Sequence, residues 1–435
     1  MNTTDYKKEK IADGELEDLK SIADVNLTDL SADRFPDLLV FPDSLDAYDP
    51  DLGRKFICSV TDGDTHLVTN SMVGFVGRNT TRLSIRSRFA AADKEDFFLH
   101  YMLRRICGIN LFNLEHSTTS DQVFDFLLYM FPRFLNKAVR QGLFKCYVNH
   151  RHNSPRVRGS IDIARHIRLN TPFNGNIAHA SRDFTADNHL TQLTRHTIEH
   201  ISMTPVGSFI LTASDDTRRS VELIRQATPT YSSSLRLQII NRNIRPFSHP
   251  YFHDYAPLQR ICLQILRHDH LKYGCDKDNI FGLLIDAAWL WEEYLATVLQ
   301  NDFTHYIKDS GPRFHLFKPG KQQIIPDYLS KDGSVVADAK YIPLDKESSY
   351  SEDSEKATSI FYKTVTYMYR FSSRKAYLFY PSADSASVPT KYLIDSMFGG
   401  EIVKHSLVVP ANCKSFTQFS ELMAASEAEF LNHLK

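Results

Sequence analysis

Two kinds of hydrophobic pattern occur along the first part of the chain. Short runs rich in β-branched and aromatic residues appear at RKFICSV, THLVTNSMVGFVG and TRLSIRSRF, and they are interrupted by Asp-Gly and Gly. Such runs predict a small antiparallel β-unit. Further along, apolar residues recur three and four positions apart in EDFFLHYMLRRICGINLF, DQVFDFLLYMFPRFLNKAVRQGL, DNHLTQLTRHTIEHI and HPYFHDYAPLQRICLQILRH. This spacing predicts helices.

The last third of the chain mixes the two patterns. The run DAAWLWEEYLATVLQ predicts a helix, and two short strands follow, roughly 323–330 and 334–341, on either side of the hairpin turn signal Asp332-Gly333. A helix around SIFYKTVTYMYRF, a strand at KAYLFYP and an amphipathic helix at FSELMAASEAEFLNHL come next. From about residue 280 the predicted order is helix, strand, strand, helix, strand, which is an α/β arrangement.

These patterns divide the chain into three segments. Residues 1–30 are polar and charged, and we expect a weakly ordered lead-in there. Residues 31–255 hold the small β-unit and several helices, which together make an N-terminal α+β region. Residues 256–435 hold the α/β domain.

Composition and charge exclude several classes of protein. Of the 435 residues, 42% are hydrophobic and the formal net charge is −1, so no global charge draws the molecule onto nucleic acid or a membrane. The six cysteines are scattered without a C-x-x-C pair, which favours a reducing cytoplasm over a disulfide framework or a zinc knuckle. The N-terminus lacks the apolar core of a signal peptide, and no apolar run approaches the roughly 18 residues of a membrane span.

One stretch of this neutral chain is strongly basic. Between Arg140 and Arg168 lie seven Arg or Lys residues against a single acid, Asp162. A local basic patch of this kind suits phosphates or an acidic partner, and Arg156 and Arg158 are its candidate contacts. A solvated loop and strand face explains the same residues equally well.

The predicted hairpin contains three charged side chains, Asp327, Asp338 and Lys340, among apolar neighbours. Residues two apart on a strand share a face, so Asp338 and Lys340 point the same way, and Asp327 meets them from the paired strand. Burying two carboxylates and an ammonium group is costly unless they bind something. Mg²⁺ takes carboxylate oxygens and waters, and a nearby lysine can orient an attacking water and stabilise phosphate charge. A surface hairpin with an exposed salt bridge is the alternative.

The helix before the hairpin supplies a further acid. Glu292 shares its row of the helix with Ala288, Leu295 and Leu299, by three- and four-residue spacing. An acid inside an apolar row indicates a metal ligand or a group that orients one. The alternative is that Glu292 and Glu293 both lie at the rim of the helix.

The layout Pro326-Asp327 followed by Asp338-Ala339-Lys340 resembles the PD-(D/E)XK nuclease motif. Seven stretches in order also resemble the McrC nuclease subunit of modification-dependent McrBC restriction systems: LSIRSRF, RVRGSID, DFTADNHLTQLTRHT, LLIDAAWLWEEYL, IIPDYL, VVADAKY and YLFYP. The resemblance places the matching acid of the family's Leu-Phe-Glu helix at Glu292, with Trp291 in place of Phe. It also implies a C-terminal PD-(D/E)XK restriction-endonuclease-like domain and an N-terminal α+β region that docks on a partner.

The resemblance implies a function as well. McrC subunits are Mg²⁺-dependent endonucleases recruited by a GTP-driven AAA+ hexamer, whose GTP hydrolysis they stimulate and whose pore receives an N-terminal region. This chain lacks a G-x-x-x-x-G-K-[ST] loop, so GTP would be bound by the McrB-like partner. In this picture Asp327 and Asp338 bind the metal, Lys340 acts on the water and phosphate, and Glu292 supports them. The resemblance further implies that the substrate is methylated double-stranded DNA selected by the motor, and that two nuclease copies meet to cut both strands.

The family helix after the hairpin often carries Gln followed four residues later by Tyr. Here Lys363 takes the Gln position before Tyr367, and both are candidate contacts to DNA phosphate or the partner. Two rival functions remain. A non-catalytic adaptor of an AAA+ motor would share the fold, and HTIEH spells the H-x-x-E-H zinc-peptidase pattern with His196 and His200 as ligands and Glu199 as base. Exposed helix histidines also explain that pattern.

Overall fold

The computed structural model describes residues 1–11, 14–23, 25, 38–41, 56–63, 65–79, 81–90, 96–107, 119–204, 207–212, 214–267, 280–306, 314–342, 344, 355–396 and 399–434. The chain forms two compact units. The first comprises Met1–Val123 with Asp269–Lys435, and the second comprises Phe124–His268. Among the described helices, none is long and apolar enough to cross a membrane.

Helices and strands of both units are numbered in chain order. The strands are β1 Asn2–Thr4, β2 Lys8–Lys10, β3 Leu38–Phe41, β4 Cys58–Thr61, β5 His66–Thr69, β6 Met72–Arg78, β7 Thr81–Arg86, β8 Cys146–Ser154, β9 Ser160–Ile161, β10 Ile177–Thr185, β11 Ile280–Asp286, β12 Phe303–His305, β13 His315–Phe317, β14 Lys321–Gln323, β15 Tyr328–Ser330, β16 Val335–Ala339, β17 Lys375–Ser382, β18 Thr390–Leu393 and β19 Glu401–Val408. The helices are α1 Leu16–Ile22, α2 Phe97–Cys107, α3 Thr119–Arg140, α4 Ile163–Leu169, α5 His189–Ser202, α6 Gly207–Thr212, α7 Asp215–Ala227, α8 Arg236–Arg242, α9 Tyr255–Leu266, α10 Ala287–Leu299, α11 Glu355–Phe371 and α12 Phe416–Asn432.

The first unit contains two larger sheets. One is five-stranded, in the order β1-β7-β6-β11-β3, and the other is six-stranded, in the order β12-β15-β16-β17-β19-β18. In the six-stranded sheet β15 and β16 are antiparallel, whereas β16, β17 and β19 run parallel. Parallel neighbours need a crossover, and α11 provides the connection from β16 to β17. The unit is therefore mixed α/β.

Helix α11 covers the six-stranded sheet through a hydrophobic cluster. Met368 from the helix packs with Val336, Leu378 and Ile402 from three successive strands. The helix is amphipathic because its apolar residues recur at the spacing that the sequence pattern indicates. This packing fixes which face of α11 meets the sheet and so brings Lys363 and Tyr367 to the end of β16.

Strand β11 differs from the prediction. Its sequence IFGLLID gives no separate strand signal because a short, continuous apolar run lacks periodicity, and the sequence pattern predicts only the helix that follows. In the structure β11 lies between β6 and β3, and Gly282 faces the backbone of Phe75, where a Cβ atom would lie 2.3 Å from the carbonyl oxygen. The N-terminal β-unit is thus completed by a strand from residues 280–286.

The compact units also divide the chain at different positions from the segments suggested by sequence. Residues 31–123 share a unit with residues after 269, and residue 255 begins α9 inside the second unit. Residues 2–4 and 8–10, in the segment expected to be weakly ordered, pair with β7 and β5. The sequence pattern has no means to show these pairings, because their partners lie more than fifty residues away. The docking role of the N-terminal region stays a prediction.

The second unit is built on helices and one sheet. Strands β8, β10 and β9 form a three-stranded antiparallel sheet, and α5 packs against α9 and α8. Helix α5 begins at Asn188, whose side-chain oxygen accepts hydrogen bonds from the backbone N–H groups of Leu190 and Thr191. The predicted helices at DNHLTQLTRHTIEHI and HPYFHDYAPLQRICLQILRH are confirmed as α5 and α9.

A buried aspartate follows strand β1. Asp5 accepts hydrogen bonds from the backbone N–H of Arg88 and from its guanidinium Nη1, the latter at 3.1 Å. Burial raises the pKa of Asp5 to about 6; the charge of Arg88 and a contact with Tyr341 oppose the shift, and the charge of Asp96 adds to it.

This pKa shift predicts a pH-dependent contribution to stability. The folded chain holds the Asp5 proton to a higher pH than the unfolded chain, so the contribution is fully present below about pH 4 and is lost as the pH rises through about 6. The loss amounts to about 3 kcal/mol of unfolding free energy. Denaturant unfolding of the wild type and of Asp5→Asn between pH 4 and 7 measures it. Equal pH slopes for the two proteins would contradict the prediction.

Candidate functional site

The predicted hairpin is present with shorter strands than expected: β15 covers 328–330 of the predicted 323–330, and β16 covers 335–339 of the predicted 334–341. Strands β15 and β16 pair with Tyr328 opposite Ala337, and the turn holds Gly333 at φ +76°, a backbone conformation that favours glycine. Asp332 stabilises the turn because its side chain accepts a 3.0 Å hydrogen bond from the backbone N–H of Ser334. The tip of the hairpin is thus set by local turn chemistry, and its other end carries the charged residues.

Asp327, Asp338 and Lys340 meet at that other end. Oδ2 of Asp327 accepts a 2.8 Å hydrogen bond from the backbone N–H of Ala339, which places Asp327 beside β16. The Lys340 ammonium group forms an ion pair with Oδ2 of Asp338, whose side chain is 1% exposed. The two aspartates are therefore brought together by the hairpin register, with the lysine beside them.

The electrostatics of the two aspartates differ. Burial of its carboxyl group raises the pKa of Asp327 well above the usual range, and the charges of Asp338 and Glu292 add to that shift. Burial acts in the same direction on Asp338, but the charges of Lys340 and Lys363 outweigh it and hold the pKa of Asp338 below its usual range. Asp338 is consequently the ionised member of the pair, stabilised by two lysines.

Helix α10 carries Glu292 to the edge of this cluster. The helix begins directly after β11, where the Asp286 side chain accepts a 2.9 Å hydrogen bond from the backbone N–H of Ala288. Oε1 of Glu292 lies 3.0 Å from Nε2 of His305 on β12, and the Glu292 carbonyl oxygen accepts a hydrogen bond from the Tyr328 hydroxyl. Glu292 thus acts on Asp327 by its charge while its own carboxylate contacts His305.

The sequence pattern does not indicate His305 as a residue of the site. It is a single histidine in a three-residue strand, and its partner lies thirteen residues away on a helix. Such a residue carries no motif, so only the folded arrangement of α10 and β12 reveals the contact.

Helix α11 contributes Lys363 and Tyr367. The ammonium group of Lys363 lies 3.7 Å from Oδ1 of Asp338, and that carboxylate raises the pKa of the lysine. The Tyr367 hydroxyl donates a 2.8 Å hydrogen bond to the carbonyl oxygen of Ile325, just before Asp327. The residue that departs from the family pattern, Lys363, therefore does face the cluster. Its role toward phosphate stays a prediction.

Arg156 and Arg158 lie in the second compact unit, outside this cluster. Both are exposed and occupy the connection between β8 and β9, where the Ser154 hydroxyl donates a 3.1 Å hydrogen bond to the carbonyl oxygen of Arg156. Their exposure is compatible with contact to an acidic partner as well as with a solvated face, and their role stays a prediction.

The carboxylates of the hairpin fit a hard divalent cation. Both side-chain oxygens of Asp338 are buried; Oδ2 pairs with the Lys340 ammonium group, and Oδ1 lies 3.7 Å from that of Lys363. Within those residues there is no group of three or more His, Cys, Asp or Glu arranged to hold a metal. Two carboxylates such as those of Asp327 and Asp338 are a ligand set that Mg²⁺ accepts when waters and phosphate oxygens supply the remaining ligands.

The H-x-x-E-H pattern on α5 is engaged in packing and ion pairs. His196 is 3% exposed and its ring lies 4.7 Å from that of Tyr231, so the expectation of an exposed histidine is wrong at this position. The Glu199 carboxylate contacts the guanidinium groups of Arg195 at 2.8 Å and Arg225 at 3.3 Å. The Glu199 carboxylate is therefore engaged in ion pairs with Arg195 and Arg225.

The elements that carry the candidate site also match a known protein family. The model of the family described as McrBC 5-methylcytosine restriction system component matches residues 67–381, which include Glu292, Asp327, Asp338 and Lys340. The chain is therefore a restriction system component. It belongs to the McrBC 5-methylcytosine restriction system family, and the resemblance drawn from the sequence motifs is confirmed at this level.

Two solved structures are also similar to the chain, both from Thermococcus gammatolerans. A refined half-complex from a tetradecameric assembly of McrB AAA+ hexamers with bound McrC is 16% identical, with a TM-score of 0.48 over 98% of this chain and 99% of that chain. A cryo-EM structure of the McrBC complex is 16% identical, with a TM-score of 0.32 over 69% of this chain and 87% of that chain. No curated protein matches the chain.

Proposed function

We propose that the chain is the Mg²⁺-dependent DNA endonuclease subunit of a GTP-driven, modification-dependent restriction complex, and that residues of the six-stranded sheet form a PD-(D/E)XK nuclease site. One observation carries this proposal: Asp327, Asp338 and Lys340 converge at one end of the hairpin, where the buried Asp338 carboxylate faces the ammonium groups of Lys340 and Lys363. A buried, ionised carboxylate needs compensating positive charge, which the lysines supply and to which a bound cation would add.

The residues have distinct roles in the proposed hydrolysis, in which a water oxygen bonds to phosphorus while the bond from phosphorus to the leaving oxygen breaks. Asp327 and Asp338 would hold Mg²⁺, which supplies Lewis-acid polarisation of the phosphate and favours ionisation of a bound water. The Lys340 ammonium group orients the attacking water and offsets the charge that grows on the phosphate oxygens. Lys363, half-exposed beside Asp338, offers a second positive charge to the phosphate.

Glu292 has a supporting role in this proposal. The Glu292 carboxylate contacts His305, and the Glu292 carbonyl oxygen accepts a hydrogen bond from the Tyr328 hydroxyl. Glu292 therefore joins α10 to β12 and β15 around the cluster. Its negative charge also favours a cation at Asp327. We therefore assign it to orienting and charge-balancing the site, with Asp327 and Asp338 as the direct ligands.

Family membership supports the rest of the proposal. A 5-methylcytosine restriction system needs a means of selecting modified DNA, and this chain has no phosphate-binding loop for a nucleotide. We propose that a McrB-like AAA+ GTPase hexamer binds GTP and selects methylated double-stranded DNA, and that this chain docks on it and stimulates its hydrolysis. Cutting both strands would require two copies of the nuclease site on the DNA.

The first experiment is a cleavage assay on methylated and unmethylated circular DNA, with Mg²⁺, GTP and a McrB-like AAA+ GTPase. We expect linear product only from methylated circles and only with all components. Lys340→Ala is expected to remove the product, because the ammonium group that faces Asp338 and the water is lost. Lys331→Ala, at the exposed tip of the same hairpin, is the matched control and should cleave like the wild type.

The assay also distinguishes the rival function. Circles that stay intact under every condition, while GTP hydrolysis by the motor is stimulated, would identify a non-catalytic adaptor and would refute the nuclease proposal. Cleavage by Lys340→Ala at the wild-type rate would refute the role of Lys340 alone.

A further inference from the structure

The backbone of Lys340 is held on one side by the neighbouring strand. Its N–H donates a 2.7 Å hydrogen bond to the carbonyl oxygen of Phe379 on β17, and the Trp291 indole N–H approaches the same oxygen at 3.4 Å. The register between β16 and β17 ends at Ala339 and Phe379. The direction of the chain beyond this point, and with it the direction of the Lys340 side chain, therefore depends on how Tyr341 is held.

Tyr341 is held by Arg88. The guanidinium carbon of Arg88 lies 4.4 Å from the centre of the Tyr341 ring, and its Nη1 donates a 3.4 Å hydrogen bond to the Tyr341 carbonyl oxygen. The same guanidinium lies 4.7 Å from the Phe89 ring and 5.5 Å from the Tyr6 ring. Arg88 thus contacts both the ring and the backbone of Tyr341, the residue that follows Lys340, and its guanidinium lies among three aromatic rings.

Arg88 is itself fixed from the other side. Asp5 accepts hydrogen bonds from the backbone N–H and from Nη1 of Arg88. Because Nη1 also donates to the Tyr341 carbonyl oxygen, this one nitrogen bridges Asp5 and Tyr341. The preceding residue, Ser87, donates hydrogen bonds from its backbone N–H at 2.6 Å and its hydroxyl at 2.7 Å to the buried Asp96. Since Asp96 also accepts from the backbone N–H of Leu99, the turn that presents Arg88 is tied to the start of α2.

We infer that Arg88 is a positioning residue for the reaction at the hairpin: it fixes Tyr341 and, through it, the placement of Lys340 beside Asp338. The inference rests on the proposed nuclease function. The inference also assigns a role to the motif LSIRSRF. Its Ser87 is hydrogen-bonded to Asp96, and its Arg88 and Phe89 contact the Tyr341 ring. An arginine suits this role better than a lysine, because the planar guanidinium can stack on aromatic rings and at the same time donate hydrogen bonds in its own plane.

The test compares Arg88→Met with Arg82→Met in the complete complex with the AAA+ GTPase and methylated circular DNA. Arg82 lies on β7, the strand that ends two residues before Arg88, and its guanidinium carbon is also 4.4 Å from an aromatic ring, that of Phe75, so it is a matched control. We expect Arg88→Met to lower kcat about 10- to 100-fold, the scale of a misplacement of about 1 Å. KM for DNA and the half-saturating Mg²⁺ concentration should stay unchanged, and Arg82→Met should cleave like the wild type.

Two further variants separate positioning from folding. Arg88→Met leaves Asp5 buried without its partner, which can unfold the chain, so Asp5→Asn combined with Arg88→Met removes both charges. We expect this double variant to unfold at a denaturant concentration close to that of Arg82→Met and still to show the loss in kcat. Arg88→Lys, which keeps the charge and loses the planar contacts, should recover only part of the rate.

The outcomes distinguish the two proposals. If the wild type cleaves DNA and the folded double variant cleaves at the same rate, the positioning role of Arg88 is refuted and the nuclease function stands. If KM rises while kcat is unchanged, Arg88 acts in DNA binding and the inference is likewise overturned. If the wild type itself does not cleave with all components present, the proposed function fails, and the inference fails with it.

Discussion

Asp338→Asn is expected to reduce cleavage of methylated DNA about 100- to 1,000-fold, the scale of losing one preorganised electrostatic group in an active site. The side chain keeps its shape but loses the negative charge that Lys340, Lys363 and the proposed cation share. Single-turnover cleavage with the AAA+ GTPase, GTP and Mg²⁺ measures the loss.

Assembly should survive this substitution. We expect Asp338→Asn to bind the AAA+ GTPase and to stimulate its GTP hydrolysis as the wild type does, because Asp338 lies inside the first unit and 1% exposed. Asp332→Asn, at the exposed turn of the same hairpin, is the control for a change of charge in this segment. Loss of complex formation by Asp338→Asn would refute the separation between cleavage and assembly, and wild-type cleavage would refute Asp338 as a ligand.

The largest effect on stability is expected at Glu427 on α12. Its Oε1 accepts hydrogen bonds from the Tyr294 hydroxyl at 2.6 Å and the Tyr101 hydroxyl at 3.0 Å, and Oε2 pairs with Arg105 at 2.7 Å. These contacts join α2, α10 and α12, and the carboxylate together with burial raises the pKa of both tyrosines. Glu427→Ala leaves two buried hydroxyl groups without their acceptor, so we expect a loss of about 3 kcal/mol in the free energy of unfolding.

Tryptophan fluorescence during denaturant unfolding is a suitable measurement for Glu427→Ala. The chain has two tryptophans, Trp289 and Trp291, and both are buried on α10, the helix that carries Tyr294. Glu429→Ala, an exposed glutamate on the same helix as Glu427, is the matched control and should change the free energy by less than about 0.5 kcal/mol. Glu427→Gln should lose less than Glu427→Ala because its amide oxygen still accepts from the tyrosines. Equal midpoints for Glu427→Ala and Glu429→Ala would contradict the expectation.

These two substitutions probe different functions of buried charge. Asp338 is buried at the candidate site and faces the ammonium groups of Lys340 and Lys363, whereas the oxygens of Glu427 are used by three side chains of α2 and α10. The contrast explains why the first is expected to change activity with little effect on folding and the second to change stability. Both residues lie in the same compact unit.

Much of the hairpin and its flanking helices followed from local patterns in the sequence. Asp332-Gly333 marked the turn, alternation on a strand put Asp338 and Lys340 on one face, and helical spacing identified α10 and α11. Each of these signals is local, because turn chemistry and side-chain periodicity act over a few residues. The sequence by itself therefore determined the family to which the chain belongs and marked Asp327, Asp338 and Lys340 as candidate site residues.

Only the tertiary structure decided what surrounds those residues. Three features join segments that are distant or unmarked in the sequence. They are the position of β11 in the five-stranded sheet, the contact of Glu292 with His305, and the contacts of Arg88 with Tyr341. Arg88 and Tyr341 are 253 positions apart, and no periodic pattern reports a contact across such a separation. Long-range packing brings these groups together because burying the apolar faces of the strands and helices leaves few ways to arrange them.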